Sequence, residues 1–572
     1  MSENQQILND VNDFFTNNQQ RYELFSQFQD KLDHLNEKKF GDILEFVTLN
    51  KNVFFKDHSS TIFFFYNIIR SSEYNFKIFE IYLDIIIFFS NEIKKQHTTE
   101  NELIVICFRF PNTISYLFSK KFFSIQSIID QSFTIKYLFI NFLPEIEEYD
   151  PELAEIREKN LFPDQNDQEI QRELKFYKYV KNNRQNHLKY RNLNYHPSPL
   201  HKAIREDDIE TFQSLLSKNN LKVNSTIEFS FYERSQTVDY ELSPIRVAAV
   251  YGSLAIFKFL WLQNDIVFNH NLLNYAYFGQ NYEIIHLCEQ KCNHENVCVQ
   301  AIRTHQHDLL EYYIENYSDK IKEDDEEVRD LLKNFLNEEE EENLYDKLNF
   351  ECLISAVFSF NFEIIKKCLP KISFIARNLE NVGSESFTRY DAFLYNCCYD
   401  LELFKFLYFQ RNSDVDKFNC ECYMSALFSC LFDYANDSFK FIFYDLKENV
   451  DFFNLFQTSI LNNHDLANFI LDVQNDDSQL FEKFKKKIQF NDLILAIQFY
   501  NEDVVVKIVK LYKLIRTNES IREFVSNLMK FLSKKMIIHL LNRLFSFLHF
   551  NILSHMTNYF IELGFPSECF YQ

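Results

Sequence analysis

A phrase that returns along the second half of the chain constrains the fold more than any other feature. It reads as a small residue, a few variable positions, a turn residue, then an acid and two apolar residues. The fullest copy is Ser243-Pro244-Ile245-Arg246-Val247-Ala248-Ala249-Val250-Tyr251-Gly252-Ser253-Leu254-Ala255-Ile256-Phe257-Lys258-Phe259-Leu260, which spells one helix, a tight turn and a second helix. Such a pair cannot bury its apolar face alone, so successive copies must stack. Aligned by the small residue, the copies place Ala203, Ala248, Ala276, Ala301, Ala356, Ser459 and Ala496 in one slot, with Ala426 a further candidate. Seven positions on, Glu210, Glu283, Asp308, Glu363 and Asp503 fill the acid slot, and apolar pairs such as Ile284-Ile285 and Val504-Val505 open the second helix. A small residue is needed where helices of neighbouring copies approach closely, and the apolar pair supplies the stacking face.

Breakers are scarce: 5 glycines and 9 prolines in 572 residues favour long helical stretches and argue against sandwiches, barrels and Gly-rich phosphate loops. The 65 phenylalanines and 32 tyrosines stand where Leu, Val and Ala usually fill helical cores. Asn, Ile and Lys rise with them, which reads partly as a bias of the coding sequence. A formal net charge of −23 disfavours nucleic acid and anionic membranes as partners. The 12 cysteines form no framework and residues 1–18 are polar, so reduced thiols in a cytosolic or nuclear protein are expected. The apolar runs 62–69 and 81–89 are too short to span a bilayer and read as buried helices.

Linear segmentation predicts a helical region over 1–145, a junction over 146–195 holding Pro151 and Pro163, a repeat array over 196–515 and a helical cap over 516–572. The intervals between the first five small residues are 45, 28, 25 and 55, so the array is irregular. The first interval carries an alternating stretch, 225–241, expected as a lengthened β-finger. The longest carries acidic runs at 323–327 and 338–342, expected in solvent.

Ser198-Pro199-Leu200-His201-Lys202-Ala203 and Ser243-Pro244-Ile245-Arg246-Val247-Ala248-Ala249 resemble the opening of ankyrin repeats, with Ser capping the first helix and Pro at its first position. Gly252 stands where that family has its left-handed glycine, and Asn463 can substitute there. Asp207 is tolerable, whereas Gln280, His305, Phe360 and Tyr500 suit the slot poorly and mark degenerate repeats. The wider pattern is similar to divergent ankyrin families of unicellular protists in which a helical region precedes the array. The resemblance implies an all-α protein: a helical N-terminal region, an irregular ankyrin-repeat α-solenoid of eight to ten repeats and a helical C-terminal cap.

The same resemblance implies a monomeric, non-catalytic scaffold that binds a partner protein by shape, and the acidic surface favours a basic segment on that partner. Phe229, Phe231 and Tyr232 on the expected finger are the candidate contacts, with shielding of the neighbouring core as their other reading. His286, Cys288, Cys292, His294 and Cys298, with His305 and His307 nearby, are soft enough for zinc but lack a Cys-x2-Cys knuckle. Buried or incidental residues are the simpler reading, so no metal and no cofactor is assigned. Lys175, Lys178, Lys181 and Arg184 recur at helical spacing and read as a solvated face. No nucleophile elbow, zinc helix, kinase set or phosphate loop occurs, so no catalytic residue is assigned. The alternative is an adaptor whose N-terminal region recruits a ligase or carries an unrecognised enzymatic activity.

Overall fold

The computed structural model describes residues 3–75, 78–108, 111–161, 168–193, 197–218, 243–263, 272–292, 297–317, 348–378, 397–411, 430–432, 435–446, 452–476, 487–512 and 518–544, with isolated positions between them. Every regular element among the described residues is a helix, and none of these helices is long and apolar enough to cross a membrane. Two compact units emerge: residues 1–99, 106–122 and 190–426 form one, and residues 100–105, 123–189 and 427–572 the other. These bodies cut across the linear segments expected from sequence. Most of the first region packs with the front half of the array, and residues 123–189, which include most of the expected junction, pack with the rear half.

Among the described residues of the first unit five helix pairs follow one another. They are Pro199–Arg205 with Ile209–Lys218, Pro244–Tyr251 with Leu254–Trp261, Leu272–Gly279 with Tyr282–Glu289, Val297–Arg303 with His307–Tyr317, and Phe350–Phe358 with Phe362–Asn378. Each first helix packs on the next, and the second helices of the first three pairs do likewise. The small slot explains the spacing, because Ala203, Ala248, Ala276, Ala301 and Ala356 are all buried. Pro199 and Pro244 begin their helices as expected. Ser198 and Ser243 hold the extended backbone of the cap, but neither hydroxyl makes the expected capping bond. His201 is buried with its ring 5.4 Å from that of Tyr251.

The turns are more uniform than their residues suggest. Gly252 has φ 64°, and Asp207, Gln280, His305, Phe360 and Tyr500 have φ between 50° and 54°. The slots judged poor from sequence therefore keep the left-handed geometry. The closing bond is shared as well: the amides of Asp208, Ser253, Gln306, Asn361 and Asn501 each reach back five residues to the carbonyl of the small residue, at 2.8–2.9 Å. Asn463 departs from the expectation. It is absent from the left-handed set, bonds four residues back to Ser459 O, and caps the following helix by accepting from Leu466 N. Ala426 lies outside the described residues, and Cys430 supplies the small-residue carbonyl there, accepting from Ala435 N at 2.9 Å.

Neighbouring pairs are joined by a recurring bond. The residue just before one second helix donates through its side chain to a carbonyl at the end of the preceding first helix: Ser253 to Ile204 O, Gln306 to Tyr277 O, and Asn361 to Ile302 O. Gly279 allows the closest approach, since a Cβ there would lie 1.9 Å from Ala249 O and 2.9 Å from Gly252 N.

The long helix Glu3–Asp33 packs on Phe362–Asn378 within the same unit. Asp33 lies 3.1 Å from His305 Nδ1, Gln29 donates to Phe360 O at 2.9 Å, and Arg21 and Tyr22 both donate to Asp400 at 2.7 and 2.8 Å. The second unit stacks three pairs: Phe452–Asn462 with His464–Asp476, Phe490–Gln498 with Glu502–Tyr512, and Asn518–Phe531 with Lys534–Leu544. The last of these occupies the expected cap and packs as a further member of the stack. Pro151–Leu161 lies against Asn518–Phe531.

Candidate functional site

The residues singled out from sequence are dispersed. Phe229 and Phe231 lie outside the described residues, as does most of the expected finger. Tyr232 is buried, its ring 5.8 Å from that of Tyr190 and its carbonyl accepting from Asn112, so this side chain serves the interior. Of the soft ligands, His286 is exposed beside Glu289, and His305 is held by Asp33 and Ser359 O. Cys288 is buried and paired through its thiol with Cys292, which raises the pKa of the first and lowers that of the second. Cys352 is raised by its thiol contact with Cys298 and by burial. His294 lies outside the described residues, and among those described no group of three His, Cys, Asp or Glu is placed to hold a metal ion. In the basic stripe the helix breaks after Asn182, Lys181 pairs with Glu158 at 2.8 Å, and Arg184 pairs with Glu147 at 3.4 Å.

The second unit contains a feature that no motif announced. A cavity of about 610 Å³ is lined by His464, Asp465 and Asn468 from one second helix, by Tyr500 to Asp503 at the start of the next, and by Lys535, Met536, His539 and Arg543 from the last. Asn101, Asp130, Tyr149 and Asp150 also line it, with apolar side chains such as Ile129 and Leu153 between them. Local folding places these groups. The left-handed turn at Tyr500 stacks its ring 5.4 Å from Phe133, and the doubled acid Glu502-Asp503 opens the next helix at the rim. Asp150 accepts from Leu153 N and from Ser533 Oγ, which ties two elements of the wall together.

Charge in this cavity is unbalanced. Five carboxylates, Asp130, Asp150, Asp465, Glu502 and Asp503, face two cations, Lys535 and Arg543. Arg543 is spent on Asp503 and Glu502, and Lys535 sits 3.5 Å above the Tyr149 ring centroid. Burial pushes the Asp130 carboxyl up to about 6 against the bond from Gln126, with Glu502 and Asp503 adding repulsion. Burial likewise raises Glu502 and lowers His464 to about 4, so His464 is neutral.

Several polar atoms of the wall also lack partners. Asn501 is 2% exposed; its Oδ1 accepts from Val504 N, which fixes the amide, and its Nδ2 has no partner among the described residues. Its counterparts Ser253, Gln306 and Asn361 bond a carbonyl of the preceding first helix, and Asn501 Nδ2 makes no such bond among the described residues. Asn101 Oδ1, Asn468 Oδ1 and His464 Nε2 are likewise buried without a partner among the described residues. Of this wall Tyr500 carried a sequence signal as a turn slot and Asp503 as an acid slot. The consecutive acids at 502–503 beside a misfit turn residue were the available clue.

Exposed apolar side chains form a second feature, on the repeats themselves. In the first unit Leu262 is 78%, Tyr282 66% and Phe409 57% exposed, each on or just beyond a second helix or its equivalent, Leu401–Arg411.

No curated protein and no solved structure matches the chain. Residues 264–337, which contain the pairs headed by Leu272–Gly279 and Val297–Arg303, match a domain of unknown function (DUF3447), a domain associated with ankyrin-repeat-containing proteins in protists.

Proposed function

We propose that the chain is a protein-binding scaffold, an ankyrin-like solenoid whose helix-pair array takes a partner protein through a basic segment. The observation that carries this reading is the repeated joint: one turn geometry and one side-chain-to-carbonyl bond recur from pair to pair, giving a stack that repeats its surface at each step. Tyr282 and Phe409, large and exposed, are the kind of side chain that anchors a protein interface. The net charge of −23 supports a basic partner, and buried free thiols support a reducing compartment such as cytosol or nucleus.

The test uses the full chain as bait, because both compact units draw on its early and late residues. Wild type and a Tyr282→Glu, Phe409→Glu variant are compared for proteins retained from native lysate, followed by cross-linking to locate the contact. A protein held by wild type, cross-linked to helices 282–289 or 401–411 and lost from the variant, is the expected result. Equal retention by both, or none by either, overturns the reading.

A further inference from the structure

We infer that the cavity of the second unit is a binding site for an organic cation bearing an ammonium or guanidinium group. Three independent features converge on that chemistry. Apart from Asp465, which is engaged elsewhere, the wall carries Asp130, Asp150, Glu502 and Asp503 against Lys535 and Arg543, an excess of acid. Asn101 Oδ1 and Asn468 Oδ1 are acceptors without a partner among the described residues, and they suit the several N–H groups of such a cation. Tyr149 holds the Lys535 ammonium over its ring, which shows that this wall accommodates an ammonium against an aromatic face.

Asn501 separates a built site from a mere acidic patch. It is buried to 2% exposure and its Nδ2 is left without a partner among the described residues, an arrangement that destabilises the fold unless something in the cavity accepts from it. A ligand with an amide carbonyl beside its cationic group, as a peptide has, offers that acceptor. A bare divalent ion does not fit. The carboxylates are spread around about 610 Å³, and no three described groups converge on one point. The site stands whether or not the array holds a partner protein.

Two sources supply such a group: a free polyamine, or a lysine or arginine side chain of a peptide. The full chain is titrated calorimetrically with spermidine and, separately, with a capped Arg-Lys dipeptide amide, both at physiological ionic strength. One saturable site for at least one probe is expected, and the tighter probe identifies the source. Asp130→Asn should weaken it about tenfold, the loss of one charge-assisted contact. Asp42→Asn, exposed on the first unit, should leave it unchanged. In the wild-type chain the probe should slow amide exchange in Glu502–Tyr512 and Lys534–Leu544, a readout that needs no variant. Absence of saturable binding by both probes overturns the site. So does equal weakening by the two variants, which would mean general charge screening, or binding without slowed exchange in these helices.

Discussion

Replacing Asp130 by asparagine should stabilise the protein, and the gain should grow with pH. The Asp130 carboxyl is raised from an ordinary 3.8 to about 6, mainly by burial and then by Glu502 and Asp503. A raised carboxyl favours the folded state while protonated and loses that contribution as pH climbs through the folded value. Holding the charged form at pH 8 therefore costs up to about 3 kcal/mol, and at pH 5 roughly half of that. Asparagine mimics the neutral acid and keeps an oxygen to accept from Gln126, so the variant avoids the cost. Allowing for a wall open to water, the expected gain is about 1–3 kcal/mol at pH 8. His464, lowered to about 4 by burial, changes stability in the opposite sense as pH falls, but it is common to both proteins and cancels in the difference. The assay is denaturant unfolding followed by helical circular dichroism across this pH range, since the single tryptophan, Trp261, belongs to the first unit. A variant less stable than wild type, or a gain that does not change with pH, would refute the electrostatic account.

Further substitutions test the packing. Gly279→Ala forces a Cβ against Ala249 O and should cost about 1–3 kcal/mol, read as a lower denaturation midpoint. Gln280→Gly relieves a left-handed, exposed residue and should add about 0.5–1 kcal/mol to stability, whereas His305→Gly should destabilise because it removes the contacts to Asp33 and Ser359 O. Asp400→Ala strips Arg21 and Tyr22 of their shared acceptor and uncaps the helix Leu401–Arg411. It should cost about 3–5 kcal/mol and raise amide exchange along Glu3–Asp33.

The helix pairs were legible because their signal is local. Ala301, His305 and Asp308 lie within eight residues of one another, so periodicity and turn chemistry expose them. The compact units were not legible in the same way. Arg21 meets Asp400 and Asp33 meets His305 across 379 and 272 residues, and single polar contacts at that separation leave no period in the sequence. The cavity was hidden for a related reason. Its wall is assembled from three distant stretches of chain, and its most telling group, the Asn501 amide, is conspicuous only beside the bond that its counterpart Asn361 makes. The soft-ligand cluster failed in the opposite direction: closeness in sequence suggested a centre, but helix geometry sends Cys288 toward Cys292, Cys298 toward Cys352 and His305 toward Asp33.

The turn slot shows why departures from a repeat pattern carry information. A left-handed non-glycine residue costs about 1–2 kcal/mol, so a chain that repeatedly avoids glycine there requires an offset at each site. Asp207 finds it by accepting from Ala255 N and Ile256 N at 3.0 Å, capping the next pair. His305 finds it in Asp33, and Phe360 in the rings of Phe63 and Tyr66, 4.7 and 5.4 Å away, all within the first unit. Tyr500 finds it in Phe133 within the second. A charge-assisted bond contributes about 1.5–3 kcal/mol and an aromatic pair about 0.5–1.5, enough to cover the strain at Asp207, His305 and the twice-paired Phe360 and to offset much of it at Tyr500. These slots are where the repeats hold other parts of the chain, a role glycine cannot fill because it has no side chain to offer. Gln280, left-handed and exposed, is the slot whose side chain has the least to lose to glycine, which is why the two glycine substitutions at 280 and 305 are expected to differ in sign.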